Sequence, residues 1–285
     1  MKIIELPREA LQSIPDYISP NDRAMYFNTL LKVGFDTVEI GSITSERVLP
    51  QMQGTFDVLE KLEPNANTNI MVLVLNKKGA DTIIRHEKVT QLSFPFAASS
   101  AFLTKNINST VDQTFETTAY IVNLCHQHHK KPIIYFSMAF GNPYGETWNL
   151  DMLMHWIEKL ENIGIDVLPL SNVSIPIDEK IISEYYATLI PTFTKIEFGL
   201  HLHTKTTDVQ SKINAAYLQS CRRFDAVING MGGCPMACDE MLGNLETQAL
   251  LRYFDDNNIP TGLDSIALNE SYKQASQYLI HSIKK

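Results

Sequence analysis

The chain has 285 residues, 44% of them hydrophobic and 20% charged, which is the composition of an ordinary globular protein with a sizeable core. Its formal net charge of −8 argues against non-specific nucleic-acid binding and against attraction to an anionic membrane surface. No apolar run reaches a membrane-spanning length, no signal-peptide core opens the chain, and four cysteines are too few for a disulfide framework. We therefore expect a cytoplasmic protein.

Short apolar runs alternate with amphipathic helical stretches along the whole chain. Helices are predicted, for example, from a cap at Asn21 to Gly34 and up to Gly164. The strand candidates are KIIEL (2–6), TVEIG (37–41), NIMVLVL (69–75), VTQLSF (89–94), PIIYFSMAF (132–140), DVLPLS (166–171), KIEFGLHLH (195–203) and DAVING (225–230).

Eight βα units in about 250 residues predict a single-domain TIM (β/α)8 barrel. The barrel is expected over about residues 2–262, with a short C-terminal helical appendage over 263–285. An open doubly wound sheet is the alternative, but no glycine-rich nucleotide turn follows the first strand.

The seventh strand candidate ends with two histidines one residue apart. Alternate residues of a strand share a face, so His201 and His203 point the same way and could share a metal ion. A hydrogen-bonded histidine pair at a strand end is the alternative interpretation. The histidines of HQHHK (126–130) lie near a predicted helix C-terminus, where the helix dipole favours them without any metal.

Other chemically capable residues follow the remaining strands, at the rim where TIM barrels carry their active sites. A metal site is the interpretation favoured by the combination of groups rather than by any one of them. The candidates are Arg8, Glu9, Glu39, Tyr135, Ser137, Asn172, Cys234 and Asn244.

The sequence contains the motifs PREALQ, VEIGS followed by LPQM, HLH, and GGCP followed by GN. Taken together, these motifs resemble 3-hydroxy-3-methylglutaryl-CoA lyase, a member of the metal-dependent TIM-barrel lyases, and the resemblance runs from about residue 2 to residue 262. The GGCP loop and the His-x-His strand are its specific parts.

The resemblance implies a divalent cation and an acyl-CoA substrate. The implied metal ligands are Glu9, His201, His203 and Asn244. The family typically uses Mg²⁺ or Mn²⁺, and a set of two nitrogen and two oxygen ligands also suits Zn²⁺, so the metal stays open.

The implied reaction is a retro-Claisen cleavage of a tertiary alcohol to a keto acid and an acyl-CoA. Arg8 would stabilise the thioester enolate, Cys234 would protonate it, and Glu39 would support the site. The substrate is expected to contact Gln12, Tyr135, Ser137 and Asn172, with Lys105 and Asn106 on the CoA side.

Several positions depart from the lyase pattern. Glu9 stands where the family has aspartate, Asn172 and Val173 where it has aspartate and threonine, and Gln248 where it has glutamate. The sequence HLHT also lacks the aspartate that often follows the second histidine. Because amides cannot carry a proton, we expect metal binding to survive while cleavage of hydroxymethylglutaryl-CoA is weak or absent.

The sequence therefore predicts a hydroxymethylglutaryl-CoA lyase-like enzyme. Two alternatives stay open: a retargeted aldol or Claisen enzyme on another hydroxyacyl substrate, and a weakly active or inactive homologue that binds acyl-CoA or a protein partner. The sequence does not determine the oligomeric state, and a homodimer is one open alternative.

Overall fold

The computed structural model describes residues 1–44, 49–172, 176–204, 208–233 and 242–283, without the side chains of Asn106 and residues 278–283. Eight parallel strands close into a barrel in chain order. They are β1 (Lys2–Glu5), β2 (Thr37–Ile43), β3 (Asn69–Val74), β4 (Gln91–Phe96), β5 (Lys131–Phe136), β6 (Val167–Ser171), β7 (Glu197–His201) and β8 (Arg223–Ala226).

Helices surround the barrel and pack their apolar faces on its outer side. The helices of the described ranges are α1 (Pro7–Gln12), α2 (Pro20–Val33), α3 (Thr55–Lys61), α4 (Lys77–Ile83), α5 (Ser100–Ile107), α6 (Val111–Gln127), α7 (Leu150–Asn162), α8 (Glu179–Thr192), α9 (Val209–Leu218), α10 (Thr247–Asp256) and α11 (Ser265–Ile283).

The predicted TIM barrel and its C-terminal helix are confirmed. Helix α11 packs against α2, where the Ser271 hydroxyl donates to Thr29 Oγ1 at 3.0 Å. Among the helices of the described residues, none is long and apolar enough to cross a membrane.

The inside of the barrel is unusually polar on its β7–β8 side. Arg223 and Asp225 alternate along β8 and are both buried, as is His201 on β7. Gly199 of β7 is the register partner of Arg223, and a side-chain carbon there would come within 2.9 Å of Arg223 Cδ. The absent side chain of Gly199 therefore makes room for a guanidinium inside the barrel.

Three predicted strands run two or more residues past their observed C-terminal ends. Strand β5 ends at Phe136 rather than Phe140, because Met138 has a left-handed φ of 57° that breaks the extended chain. Strand β8 covers Arg223–Ala226, and a 3-10 turn over Ile228–Gly230 replaces the predicted strand end. Strand β7 ends at His201, so His203 lies beyond the regular ladder.

One predicted helix start is also wrong. Helix α2 begins at Pro20, and its cap is Ser19, whose hydroxyl accepts from the Asp22 backbone N–H. Proline suits the first helical position because its missing N–H has no intrahelical partner there. The histidines of HQHHK do lie at the C-terminal end of α6, as predicted.

Candidate functional site

Arg8 is the most heavily hydrogen-bonded residue of the candidate site. Its Nε donates to Glu39 Oε2 at 2.7 Å, and its Nη2 lies 2.5 Å from the same oxygen and 3.1 Å from Glu9 Oε1. Its Nη1 donates to Gln12 Oε1 at 3.1 Å, and Glu39 Oε1 accepts from the Ser93 hydroxyl at 2.6 Å. The contacts to the two buried side chains of Glu39 and Glu9 thus fix the orientation of the guanidinium.

Burial and charge act in opposite directions on this network. Burial opposes the charge of Arg8, but Glu39 and Glu9 outweigh it and raise the pKa of the guanidinium. Burial raises the pKa of the Glu39 carboxyl, although Arg8 pulls it down. Arg8 therefore stays a cation, and its contacts with Glu39 fix its orientation.

Glu9, His201 and His203 form the cluster that could hold a metal ion. One ligand atom from each lies within 4.8 Å of the others, and all three side chains are buried. The imidazole rings of His201 and His203 are 5.1 Å apart, and His201 Nε2 lies 3.8 Å from Glu9 Oε1. The two histidines thus share a face, although only His201 belongs to the strand.

Protonation in this cluster follows from burial and from the neighbouring charges. Burial would raise the pKa of Glu9, but His201 and Arg8 overcome it and lower that pKa. Burial, with His201 next to it, lowers the pKa of His203 to about 4. An anionic Glu9 and a neutral His203 are the forms that bind cations.

Asn244 lies next to His203 because the chain after β8 returns as a short antiparallel bridge. His203 and Asn244 are bridge partners, and Thr204 N–H donates to Gly243 O at 2.8 Å. The Asn244 amide donates from Nδ2 to Met231 O at 2.7 Å. Its Oδ1 is buried without a hydrogen-bond partner in the described residues, which leaves it free to act as a ligand.

Gly232 lets this loop approach the first strand end. Its φ is +86°, and a side-chain carbon there would lie 2.3 Å from Glu9 O and 3.1 Å from Asn244 Nδ2. No other residue fits such a contact without a shift of the backbone. Gly232 is thus required for close packing between Glu9 and Asn244.

The donor set fits a divalent cation. Two imidazoles, a carboxylate and an amide oxygen lie together at the barrel mouth, and Glu9 Oε2 is a second buried oxygen with no partner in the described ranges. Buried polar atoms normally find partners, so these two unpaired oxygens are available to a ligand. The assignment of these residues as metal ligands stays a prediction.

The other residues predicted for the substrate lie in different settings. Tyr135 is inside the barrel, its ring 5.2 Å from that of His201, and Ser137 is half-buried just after β5. Lys105 is exposed on α5 with its ammonium 5.7 Å from the Tyr144 ring centroid. Substrate contacts by these residues, and by Gln12 beside Arg8, stay predictions.

Asn172 makes contacts that the sequence did not indicate. It is buried after β6, and its amide bonds both the N–H and the C=O of His203. Its predicted contact with substrate also stays a prediction. Cys234, the predicted proton donor, and Cys238 lie outside the described residues, as does the Asn106 side chain.

Asp225 is a site residue that the sequence reasoning missed. Its Oδ2 lies 3.5 Å from His201 Nδ1, on the side of the ring away from Glu9. A carboxylate behind a metal-binding imidazole fixes its tautomer and orientation. The available signal was the charged pair Arg223 and Asp225 on alternate positions of a buried strand, which places both inside the barrel.

Comparisons with known proteins identify the family of the chain. The model of the HMGL-like family matches residues 3–273. A 3-hydroxy-3-isohexenylglutaryl-CoA/hydroxy-methylglutaryl-CoA lyase of Pseudomonas aeruginosa is 25% identical, covering 94% of this chain and 89% of the relative. An (R)-citramalyl-CoA lyase of Chloroflexus aurantiacus is 26% identical, covering 92% of this chain and 85% of the relative.

A solved structure agrees in fold. An HMG-CoA lyase of Acinetobacter baumannii, in complex with coenzyme A and 3-methylmalate, has a TM-score of 0.89 at 24% identity and covers 98% of this chain and 91% of that chain. This likeness establishes the barrel, and the family model covers nearly the whole sequence. The protein therefore belongs to the HMGL-like family.

Proposed function

We propose that the protein is a divalent-metal-assisted carbon–carbon lyase that cleaves a 3-hydroxyacyl-CoA to an acyl-CoA and a keto acid. The observation that carries this proposal is the buried cluster of Glu9, His201 and His203 directly beside the guanidinium of Arg8. Such a cleavage develops negative charge on the substrate hydroxyl oxygen and on the thioester oxygen. A bound cation would stabilise the first, and the fixed guanidinium would stabilise the second.

The residues present would divide the chemistry as follows. A divalent cation held by Glu9, His201, His203 and Asn244 would supply positive charge that favours ionisation of a substrate hydroxyl, whose proton would pass to solvent water. As that oxygen becomes a ketone, the adjacent carbon–carbon bond breaks and its electron pair passes into the thioester as an enolate. A proton delivered to the enolate carbon completes the acyl-CoA, and we assign this proton to Cys234.

Arg8 has a donor left for the enolate oxygen. A guanidinium carries five N–H groups, and the contacts to Glu39, Glu9 and Gln12 account for four of them. One N–H on Nη1 has no acceptor among the described residues. A preoriented donor of this kind stabilises developing negative charge without reorganisation during the reaction.

The relatives support an acyl-CoA whose 3-position carries a hydroxyl. Curated relatives are named as lyases of hydroxymethylglutaryl-CoA, of its isohexenyl analogue and of (R)-citramalyl-CoA, and one solved relative holds coenzyme A. Because these names cover three acyl groups at similar identity, a retargeted lyase acting on another hydroxyacyl-CoA is the second candidate.

The test is a turnover assay with reconstituted metal. Protein stripped with a chelator and reloaded with Mn²⁺ or Mg²⁺ is given hydroxymethylglutaryl-CoA or citramalyl-CoA, and products are separated by chromatography. Metal-dependent release of an acyl-CoA and a keto acid is expected, with loss in His201→Ala and retention in the matched control His126→Ala. Failure to cleave any hydroxyacyl-CoA while Mn²⁺ is bound favours the inactive homologue instead.

A further inference from the structure

The Asn172 side chain makes a two-point contact with the backbone of His203. Its Nδ2 donates to His203 O at 2.8 Å, and its Oδ1 accepts from His203 N–H at 2.8 Å. Both residues are buried, with exposures of 3% and 6%. The two hydrogen bonds join the end of one strand to a segment 31 residues further along the chain.

The contact continues the sheet where its backbone ladder stops. Strands β6 and β7 are paired up to Ser171 and His201, the last residues of each. Beyond that point, the Asn172 amide takes the position of a peptide group in the neighbouring strand. It presents one donor and one acceptor to His203, as a strand residue does.

The other edge of this segment is held by the chain around Asn244. Leu245 N–H donates to Leu202 O and Thr204 N–H donates to Gly243 O, both at 2.8 Å. These bonds flank the His203–Asn244 bridge and leave the N–H and C=O of His203 itself pointing toward Asn172. His203 is thereby fixed from both sides, although it lies outside the regular strand.

From this geometry we propose that Asn172 is a positioning residue whose amide places the His203 imidazole in the metal site. This inference rests on the proposed function, in which His203 is a ligand. An aspartate at 172 could accept from His203 N–H, but its second oxygen would face the lone pairs of His203 O. A carboxylate there would weaken the metal site rather than restore it.

Gln248 provides a matched comparison, because its amide also makes a two-point contact. Its Oε1 accepts from Asn229 N–H at 2.9 Å, and its Nε2 donates to Asn229 Oδ1 at 2.6 Å. Here the second partner is a side-chain amide, and Asn229 Nδ2 is buried without a partner in the described residues. If Gln248 becomes glutamate, a flip of the Asn229 amide turns Nδ2 toward the new carboxylate.

The two amide-to-carboxylate substitutions should therefore differ in effect. At position 248 the partner can exchange its acceptor for a donor, whereas at position 172 the partner is a backbone carbonyl, which cannot. The parent, Asn172→Asp, Asn172→Ala and Gln248→Glu are stripped of metal and titrated with Mn²⁺ by calorimetry. Thermal unfolding of the metal-free proteins reports whether each variant folds.

We expect Asn172→Asp to weaken Mn²⁺ binding about 10–100-fold, the loss typical of partners that orient metal ligands. Asn172→Ala, which removes both bonds without the repulsion, should lose less, and Gln248→Glu should stay within about threefold of the parent. If Asn172→Asp does not fold, the alanine variant decides, and parental Mn²⁺ affinity in it overturns the proposal.

The remaining outcomes separate this proposal from the proposed function. Parental Mn²⁺ affinity in Asn172→Asp, or equal losses in Asn172→Asp and Gln248→Glu, overturns the positioning role and leaves the lyase untouched. A parent that binds no Mn²⁺ overturns both. A parent that binds Mn²⁺ and cleaves no hydroxyacyl-CoA, with the expected order of affinities, overturns the lyase alone.

Discussion

On the β7–β8 side of the barrel rim, the side chains of Glu9, His201, Asn172 and Asn244 are buried and joined to one another or to the backbone. On the β4–β5 side, beyond the strand ends, Lys105 is exposed and its recorded contact is with the ring of Tyr144. The first side holds buried, fixed charges, whereas the second presents the exposed charge of Lys105.

This difference separates two kinds of functional requirement. A cleavage needs charges held at fixed positions, because reorganisation during the reaction adds to the barrier. A carrier such as coenzyme A needs an accessible surface, and long exposed side chains provide it at low energetic cost. We therefore expect substitutions on the β7–β8 side to act on turnover and metal affinity, and substitutions on the β4–β5 side to act on KM.

The largest effect is expected for Cys234, the predicted proton donor, which lies outside the described residues. If it is the proton donor, Cys234→Ser should lower kcat by about 10²–10⁴-fold, the contribution of a general acid. Mn²⁺ affinity should be unchanged, as measured by calorimetry. Cys238→Ser is the matched control, and equal losses in both variants would instead indicate a structural or disulfide role.

A somewhat smaller loss is expected for Arg8→Lys. Arg8 contacts Glu39 Oε2 through both Nε and Nη2. The ammonium of a lysine keeps the charge, but it cannot make both contacts and still present a directed N–H to the substrate. We expect kcat to fall by about 10²–10³-fold, with a much smaller change in Mn²⁺ affinity. The exposed Arg85, changed to lysine, is the control. Comparable losses in Mn²⁺ affinity and in kcat would show that Arg8 acts mainly through Glu9.

Asp225→Asn tests the support behind His201. An asparagine fills the same space but removes the carboxylate that faces His201 Nδ1 at 3.5 Å. We expect about 10–100-fold weaker Mn²⁺ binding by calorimetry. The control is Asp166→Asn, a surface carboxylate paired with Lys131 at 3.4 Å. If the two variants bind Mn²⁺ equally well, Asp225 belongs to the barrel core and not to the metal site.

The sequence was sufficient for the fold and for the identity of the clustered residues. Apolar β-branched runs located all eight strands, and the His-x-His spacing placed both imidazoles on one face. It was insufficient where side chains replace backbone pairing. The sequence does not indicate that the Asn172 side chain pairs with the backbone of His203. It therefore predicts His203 as part of the strand itself.

The chemistry of the interior was equally difficult to read from the sequence. The predicted strand DAVING begins at Asp225 and leaves out Arg223, although Arg223 and Asp225 are both buried on β8. Their placement depends on Gly199 of the adjacent strand, which leaves room for the guanidinium. A contact between two strands is set by register, and register is not visible in either strand alone.

Lys105→Ala should give a small effect confined to KM. An exposed lysine contributes little binding energy, so we expect KM for the acyl-CoA to rise by about two- to fivefold with kcat unchanged. Lys159→Ala is the matched control, since that ammonium also lies over a ring, 4.4 Å from the Trp156 centroid, on the helix after β5. A fall in kcat in Lys105→Ala would break the distinction between the two sides.

The β7–β8 side is also tied to the first strand through Glu5. This carboxyl is fully buried, and it accepts from Ile228 N–H at 2.8 Å and bonds the Thr247 hydroxyl at 2.6 Å. Burial raises its pKa from 4.5 to about 8, although both hydrogen bonds favour the charged form. Tyr272 of α11 interacts electrostatically with Glu5 and with Glu246. Burial together with Glu5 raises the pKa of Tyr272 to about 12.

The effect expected farthest from the reacting groups is a pH dependence of the stability of the fold. Because the folded pKa of Glu5 exceeds the unfolded one, its contribution is complete below 4.5 and is lost as the pH rises through about 8. Glu5→Gln imitates the protonated carboxyl, with one acceptor for Ile228 N–H and one donor for the Thr247 hydroxyl. The variant should lie close to the parent at about pH 5 and exceed its Tm by roughly 10 °C at about pH 9. A pKa raised from 4.5 to about 8 removes on the order of 4 kcal/mol from the parent over this range, and about 1 kcal/mol moves Tm by about 2–4 °C in domains of roughly this size. Glu5→Ala, which loses both bonds, should be less stable than the parent at acidic pH. Parallel Tm curves for the parent and Glu5→Gln across this range would mean that Glu5 does not titrate there, and that the β8 turn is held by its hydrogen bonds irrespective of protonation.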